Sequence, residues 1–230
     1  MGDVRLLSYN VRSLRDDGPA VAAVIRAARP DVVCIQEAPR LLRWRSRCAW
    51  LARESGLVLV TGGRPAGAML LLARMGARVV SSRDVLLSKR PGLHQRGLAT
   101  AVLEVAGVRL GVASMHLDLD AAERLRHAAE VLDRLDQLTA PVVLAGDVNE
   151  EPGEPAWAAL GVRLQDAYAT APRGPGATYS ARAPQRRIDG VFVDRRLEVV
   201  SCEVIRTAGV ERASDHLPVL AVVRSSGPPP

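Results

Sequence analysis

Pro141-Val142-Val143-Leu144-Ala145-Gly146-Asp147-Val148-Asn149-Glu150-Glu151 is a short apolar run that stops at a glycine and then presents a carboxylate and a carboxamide. Val142 to Ala145 has the β-branched, uninterrupted character of a strand buried on both faces, and Gly146 lets the backbone turn without a side chain in the way. Asp147 and Asn149 are two residues apart, which in an extended chain puts both side chains on one face. A carboxylate that can orient or activate a water then stands beside an amide that both donates and accepts hydrogen bonds. The same letters also fit an Asx-rich turn after a strand, and Gly-Asp-x-Asn alone does not separate the two readings.

Working outward, residues 121–138 have helical spacing, with Leu125, Ala128, Ala129, Leu132 and Leu135 as the apolar stripe feeding the 142–145 strand. At the other end of the chain, Val4 to Tyr9 reads as a strand ending at Asn10. Pro19 then opens a helix whose face is Val21, Val24, Ile25 and Ala28, and Pro30 stops it. Val32 to Ile35 is a second buried strand, ending at Gln36-Glu37. Strand, helix, strand over about thirty residues suggests a parallel crossover unit, with an antiparallel placement left open. Residues 40–55 are expected to be helical, with Leu41, Trp44, Cys48 and Leu51 inward and Gly56 as terminator.

From 57 to 115 the period changes to strands at 57–60, 68–73, 79–87, 98–105 and 108–115, with Ala106-Gly107 as a hairpin loop. A short helix at 154–160, a Pro/Gly/Arg-rich loop at 172–187 and strands near 188, 191–193, 197–205 and 217–223 complete the chain. Mixed strands with a few helices in each half fit an α/β sandwich of packed sheets with helices outside. The expectation is one domain over 1–224 with a disordered tail at 225–230.

The chain has 230 residues and a net charge of +6, and Lys89 is the lone lysine among 31 basic residues. That balance suits approach to a polyanion. One Phe, three Trp and three Tyr are few for a surface that stacks successive unpaired bases. Three scattered cysteines, without a Cys-x-x-Cys pair, indicate neither a disulfide framework nor a thiolate zinc site. With no signal-like N-terminus and no apolar run of spanning length, a soluble, cytoplasmic, monomeric protein is expected.

Asn10, Glu37, His116, Asp147, Asn149, Asp189, Asp215 and His216 all interrupt or end apolar runs. Each has an innocent reading by itself. Gathered at one end of a sheet, their carboxylates would repel unless a cation or histidines compensate them. Oxygen donors with few histidines and no cysteine point to a hard cation, Mg²⁺ or Mn²⁺.

Ser8-Tyr9-Asn10, Ile35-Gln36-Glu37, Met115-His116-Leu117, Gly146-Asp147-Val148-Asn149, Arg187-Ile188-Asp189 and Ser214-Asp215-His216-Leu217-Pro218 together resemble the ordered motifs of the endonuclease/exonuclease/phosphatase superfamily. The resemblance runs from residue 8 to 218 and is most similar to the short bacterial metal-dependent hydrolase branch. It implies a four-layer α/β/β/α sandwich of the DNase I-like type, with two packed mixed β-sheets. It also implies phosphoester hydrolysis by in-line attack of water beside a divalent metal. On that resemblance Glu37 is the principal metal ligand, helped by Asn10 and Asp215. Asp147 orients and deprotonates the water, and Asn149 holds the water or a phosphate oxygen. His216, paired with Asp189, contacts the scissile phosphate, and His116 stands near the leaving group.

Arg12 occupies a position where some abasic-site endonucleases carry an aspartate; it resembles the DNase I branch and implies a phosphate contact. Arg96, Arg187 and Tyr179 are further expected substrate-binding residues, whereas His94 and His127 match no catalytic motif, and His127 is expected on a helix flank. A phosphodiesterase acting on DNA or RNA is the leading expectation. The alternatives are a phosphomonoesterase acting on a small phosphorylated metabolite or inositol phosphate, and a non-catalytic nucleic-acid-binding relative.

Overall fold

The computed structural model describes residues 2–225. Among the described residues thirteen strands form two sheets. The first contains β1 (Asp3–Asn10), β2 (Val32–Gln36), β3 (Leu57–Gly63), β4 (Met69–Arg74), β10 (Pro172–Arg173), β12 (Leu197–Val204) and β13 (Val219–Ser225), in the order β10-β12-β13-β1-β2-β4-β3. The second contains β5 (Arg78–Leu86), β6 (Gly97–Val105), β7 (Val108–His116), β8 (Val142–Asp147), β9 (Leu164–Asp166) and β11 (Asp189–Asp194), in the order β5-β6-β7-β8-β11-β9. Helices α1 (Gly18–Ala28) and α2 (Trp44–Glu54) cover the first sheet, and α3 (Ala121–Leu135) and α4 (Pro155–Arg163) the second. One-turn helices α5 (Ala167–Thr170) and α6 (Val210–Ala213) complete the order. This is the expected α/β/β/α sandwich.

Each sheet is centred on a parallel pair made by a helical crossover. The β1–α1–β2 unit pairs Asn10 with Gln36, and the β7–α3–β8 unit pairs His116 with Asp147. Both pairs are flanked on each side by antiparallel strands, β13 and β4 in one sheet and β11 and β6 in the other. The first crossover is thus parallel. Strands of the central pairs are buried along nearly their whole length, which is why they read as continuous apolar runs. Between the sheets a polar seam near the strand tips is fully paired: Ser114 Oγ donates to Ile35 O at 2.9 Å and accepts from Gln36 Nε2 at 3.1 Å.

Four expectations change. Helix α2 begins at Trp44 rather than at residue 40, because Arg43 takes a left-handed φ of 57° and a turn closes before it, Trp44 N–H donating to Leu41 O at 3.1 Å. Leu41 is therefore 76% exposed instead of inward. On α3 the buried face is rotated to Arg124, His127, Ala128, Val131 and Leu135, leaving Leu125 exposed and His127 buried instead of at a flank. Polar residues can turn inward there because they are paired: Arg124 Nε lies 2.7 Å from Glu150 Oε1, and His127 Nε2 2.9 Å from Ser88 O. Finally, Ser225 ends β13 instead of opening a tail, and the rest of the expected tail, 226–230, lies outside the described residues. The hairpin at Ala106-Gly107 is as expected, both residues having positive φ between Val105 and its partner Val108.

Candidate active site

The topology brings one set of strand ends together. Parallel β1 and β2 end at Asn10 and Gln36, and parallel β7 and β8 at His116 and Asp147. Antiparallel β11 starts at the same edge, placing Asp189 opposite Asp147, and the chain entering β13 carries Asp215 and His216 to it. Gly146 is needed here for a different reason than a turn. It lies within β8, and a Cβ on it would fall 1.9 Å from the Met115 carbonyl oxygen of β7. Asn149 has φ 57°, so the strand has ended before it, and its N–H donates to Asp147 Oδ1 at 3.0 Å. The Asx turn and the chemical pairing are thus the same structure.

The floor of the cleft is a dense hydrogen-bonded cluster. His216 Nδ1 is 2.9 Å from Asp189 Oδ2, and its Nε2 faces Asp147 Oδ2 at 3.7 Å. Asn10 Nδ2 donates to Asp147 Oδ2 at 3.0 Å. Asn149 Nδ2 donates to Leu117 O at 3.1 Å and lies 3.1 Å from His116 Nε2. Burial pushes the Asp147 carboxyl up to about 7, reinforced by Asp189 and opposed by His216 and Asn10. Burial alone would lower His216, but the facing carboxylates Asp189, Asp147 and Asp215 outweigh it and raise the imidazole to about 10. His116 goes the other way, held neutral by burial and by Arg96. One buried site therefore contains a carboxylate poised near neutrality, an imidazolium and a neutral imidazole.

Glu37 and Asp215 stand higher, partly exposed at the mouth. They are joined to Asn10 by an unusual turn in which Arg12, Ser13 and Leu14 all have positive φ. Such a run is unfavourable for residues with a Cβ. It is held by Arg12 N–H donating to Asn10 Oδ1 at 3.1 Å and Ser13 N–H to Glu37 O at 2.8 Å. Glu37 Oε1 receives one long hydrogen bond, from Asn10 Nδ2 at 3.4 Å, and has no ion-pair partner among the described residues. Asp215 Oδ2 lies 3.4 Å from Arg12 Nε. An unpaired carboxylate, a second carboxylate and a carboxamide oxygen make a donor set that suits a hard divalent cation.

Asp147, Asp189 and His216 also have donor atoms within 4.8 Å of one another. Their geometry suits proton chemistry better, because the imidazolium is already hydrogen-bonded to Asp189 and neutralises charge that a cation would otherwise meet.

A cavity of about 580 Å³ opens above these groups. Of the residues expected from sequence, Glu37, His116, Asp147, Asn149, Asp215, His216, Arg96 and Tyr179 line it, while Asn10 and Asp189 lie directly beneath and Arg12 flanks Asp215. Tyr179 packs on the His216 ring at a centroid distance of 5.0 Å. Arg96 is buried beside Asp118, Nε to Oδ2 3.4 Å.

Arg187 does not belong to the site. It forms a two-pronged pair with Asp166 at 3.0 and 2.8 Å and stacks on Trp157 and Tyr168, so its guanidinium is committed to the packing of α4 and α5. Its neighbour Arg186 lines the cleft instead. Residues 187 and 188 precede β11 and carry no strand pairing, so the direction of Arg187 is set by its pairing with Asp166.

Arg15, Arg40, Arg47 and His94 also line the rim, and two hydroxyls outside the expected set fix the backbone. Ser214 Oγ donates to Asn10 O at 2.7 Å, and Thr178 Oγ1 accepts from the N–H groups of Ile188 and Asp189 at 3.2 and 3.3 Å.

Two packed mixed sheets with acids and histidines gathered at one set of strand ends define a protein of the DNase I-like class. Residues 7–216 match the model of the Endonuclease/Exonuclease/phosphatase family, and the chain belongs to that family, whose members are divalent-metal-dependent phosphoester hydrolases. Among solved structures, a family member from Bacteroides vulgatus superposes with a TM-score of 0.83 at 21% identity, over 98% of this chain and 100% of that one. The Bacteroides thetaiotaomicron mannosyl-6-phosphatase gives 0.82 at 18% identity, over 96% and 99%. D. rerio TDP2 complexed with a single-strand DNA product gives 0.79 at 18%, over 98% and 100%. Comparison with curated proteins finds no match. No described helix is long and apolar enough to cross a membrane.

Proposed function

We propose that the chain is a divalent-metal-dependent phosphodiesterase acting on a nucleic-acid backbone, with residues 1–224 as one catalytic domain. The observation that carries this reading is the buried Asp147–His216–Asp189 cluster at the base of a cleft rimmed by Arg15, Arg40, Arg47 and Arg186. Glu37, Asp215 and Asn10 would hold a divalent cation, which would supply charge stabilisation at the phosphoryl group. Asp147, with a carboxyl near 7, accepts a proton from the attacking water. Asn149, anchored on Leu117 O, orients that water or a phosphate oxygen. His216 donates from Nε2 to the phosphoryl group and stabilises the growing charge, while Asp189 fixes the ring through Nδ1. Neutral His116 and buried Arg96 face the leaving group, and Tyr179 holds the His216 ring in place.

The reading is tested by Mg²⁺- or Mn²⁺-dependent turnover of an aryl phosphodiester, its monoester, and single- and double-stranded DNA, beside a His216→Ala control. Diester and DNA cleavage lost in EDTA and in the variant supports it. A second reading is a phosphomonoesterase for a small metabolite, favoured by Arg96, a buried cation suited to a terminal phosphate; turnover of the monoester alone would establish it.

A further inference from the structure

Beside the catalytic cleft lies a second groove, of about 560 Å³, between α1 and α2, lined by Leu14, Gly18, Pro19, Leu42, Arg43 and Trp50. Arg47 lines both hollows and forms the ridge between them. It is fixed there by NH2 donating to Ser13 O at 3.0 Å and Leu14 O at 3.2 Å, which leaves its other N–H groups unengaged among the described residues.

The chemistry of this groove is a flat ring with an apolar lip and a cation at one end. Trp157 packs on Phe192 and under Arg187, and Trp44 carries Arg45 at 4.4 Å. Trp50 alone of the three faces neither another ring nor a guanidinium among the described residues. Gly18 lies against its outer edge, where an added Cβ would sit 3.3 Å from Cζ3. Leu42, 88% exposed, lines the same groove and offers an apolar side chain to whatever enters it. We infer that this groove seats one unpaired base of the strand next to the scissile phosphate, stacked on Trp50 and covered by Leu42, with Arg47 on the intervening phosphate.

The inference rests on the phosphodiesterase reading and narrows its substrate to single-stranded nucleic acid. A base within a duplex has both faces stacked on its neighbours and cannot present one to an indole. The scarcity of aromatic residues agrees with this, since a single stacking position needs only one ring. The groove joins the cleft through Arg47, and the cations on that ridge match a phosphate-linked chain.

The test compares KM for a labelled single-stranded oligonucleotide, the same sequence as a duplex, and an aryl phosphodiester that is too small to reach the groove. Variants are Leu42→Ala, Trp50→Ala and Trp50→Phe; the exposed Leu42 side chain keeps the test valid if Trp50→Ala does not fold. The expected result is a preference for the single strand, and a rise of about tenfold in its KM for Leu42→Ala and Trp50→Ala, with Trp50→Phe recovering most of it. The aryl diester serves as the reference and keeps its constants. Cleavage of the strand with unchanged KM in the alanine variants overturns the subsite and leaves the phosphodiesterase reading standing. Aryl diester turnover without cleavage of any strand by the wild type overturns both the subsite and the nucleic-acid substrate. Binding to anionic lipid vesicles that disappears in Leu42→Ala, with strand KM unaffected, overturns the subsite in favour of a membrane contact.

Discussion

The two crossover units, β1–α1–β2 and β7–α3–β8, share a topology and lead into polar groups at different depths. Each sets a parallel pair in the middle of its sheet, and each ends in polar groups at the same edge. The second unit ends deep: His116 and Asp147 are almost completely buried, and their protonation is tuned by burial and by each other's neighbours. After β2 the first unit kinks instead, with Glu37 at φ 52° and its neighbour Ala38 bonded to Ala68 O, which lifts the Glu37 carboxylate to the mouth. In the proposed mechanism depth separates the roles. Buried groups next to one another exchange protons near neutrality, whereas an open carboxylate without a partner is free to take a cation.

Removing the deep carboxylate is the strongest test of that division. Asp147→Asn is expected to lower kcat by about 10³-fold, the scale of a lost general base, while thermal unfolding stays cooperative. Glu37→Gln comes next. Wild-type protein is expected to gain thermal stability on Mg²⁺ or Mn²⁺ addition, and this variant to lose most of that gain. If Asp147→Asn abolished the cation-induced shift and Glu37→Gln kept it, the two depths would have exchanged roles.

The deep cluster should also show in stability against pH, measured in EDTA. The His216 pKa is raised to about 10 in the folded protein, above the ordinary value of 6.5. Its contribution is therefore fully present below pH 6.5 and is lost as pH rises from there through about 10. Asp189→Asn removes the main attractive partner and should flatten that decline; an identical slope in wild type and variant would mean that the pair is not ionic.

Much of this site was legible because buried parallel strands write continuous apolar runs, and the residue that ends such a run is visible by contrast. Asn10, Glu37, His116 and Asp147 were found in that way. The rim was harder to read. Arg15, Arg40 and His94 lie on loops with no period, so nothing in their neighbours marks which way they face. Arg187 was misplaced because its adjacency to Ile188-Asp189 says nothing of Asp166, a distant residue in sequence that captures its guanidinium. The inward face of α3 was hidden by its composition, since pairing with Glu150 and Ser88 places Arg124 and His127 where apolar residues were expected. The repeated crossover architecture left no repeat in sequence, because each unit needs only an apolar pattern and short turns.

The rim and the packing beneath it give smaller, opposite signatures. Arg187→Ala should cost roughly 1–3 kcal/mol of stability, through the loss of Asp166's counter-ion and of the guanidinium packed on Trp157 and Tyr168, Asp166 keeping its bonds from the Trp157 indole and the Tyr168 N–H. It should leave kcat/KM unchanged in the remaining folded protein, as urea titration beside steady-state kinetics would show. Arg40 is exposed on the cleft wall and has no ion-pair partner among the described residues. Arg40→Ala should leave unfolding untouched and raise KM for a single strand only a few-fold. One phosphate contact fewer would also reduce the slope of log affinity against log salt by about 0.7. An activity loss in Arg187→Ala at full stability, or an unchanged salt slope in Arg40→Ala, would reverse the assignment of these two arginines. The boundary between framework and substrate surface would then have to be redrawn through residues 186–189, where the chain enters β11.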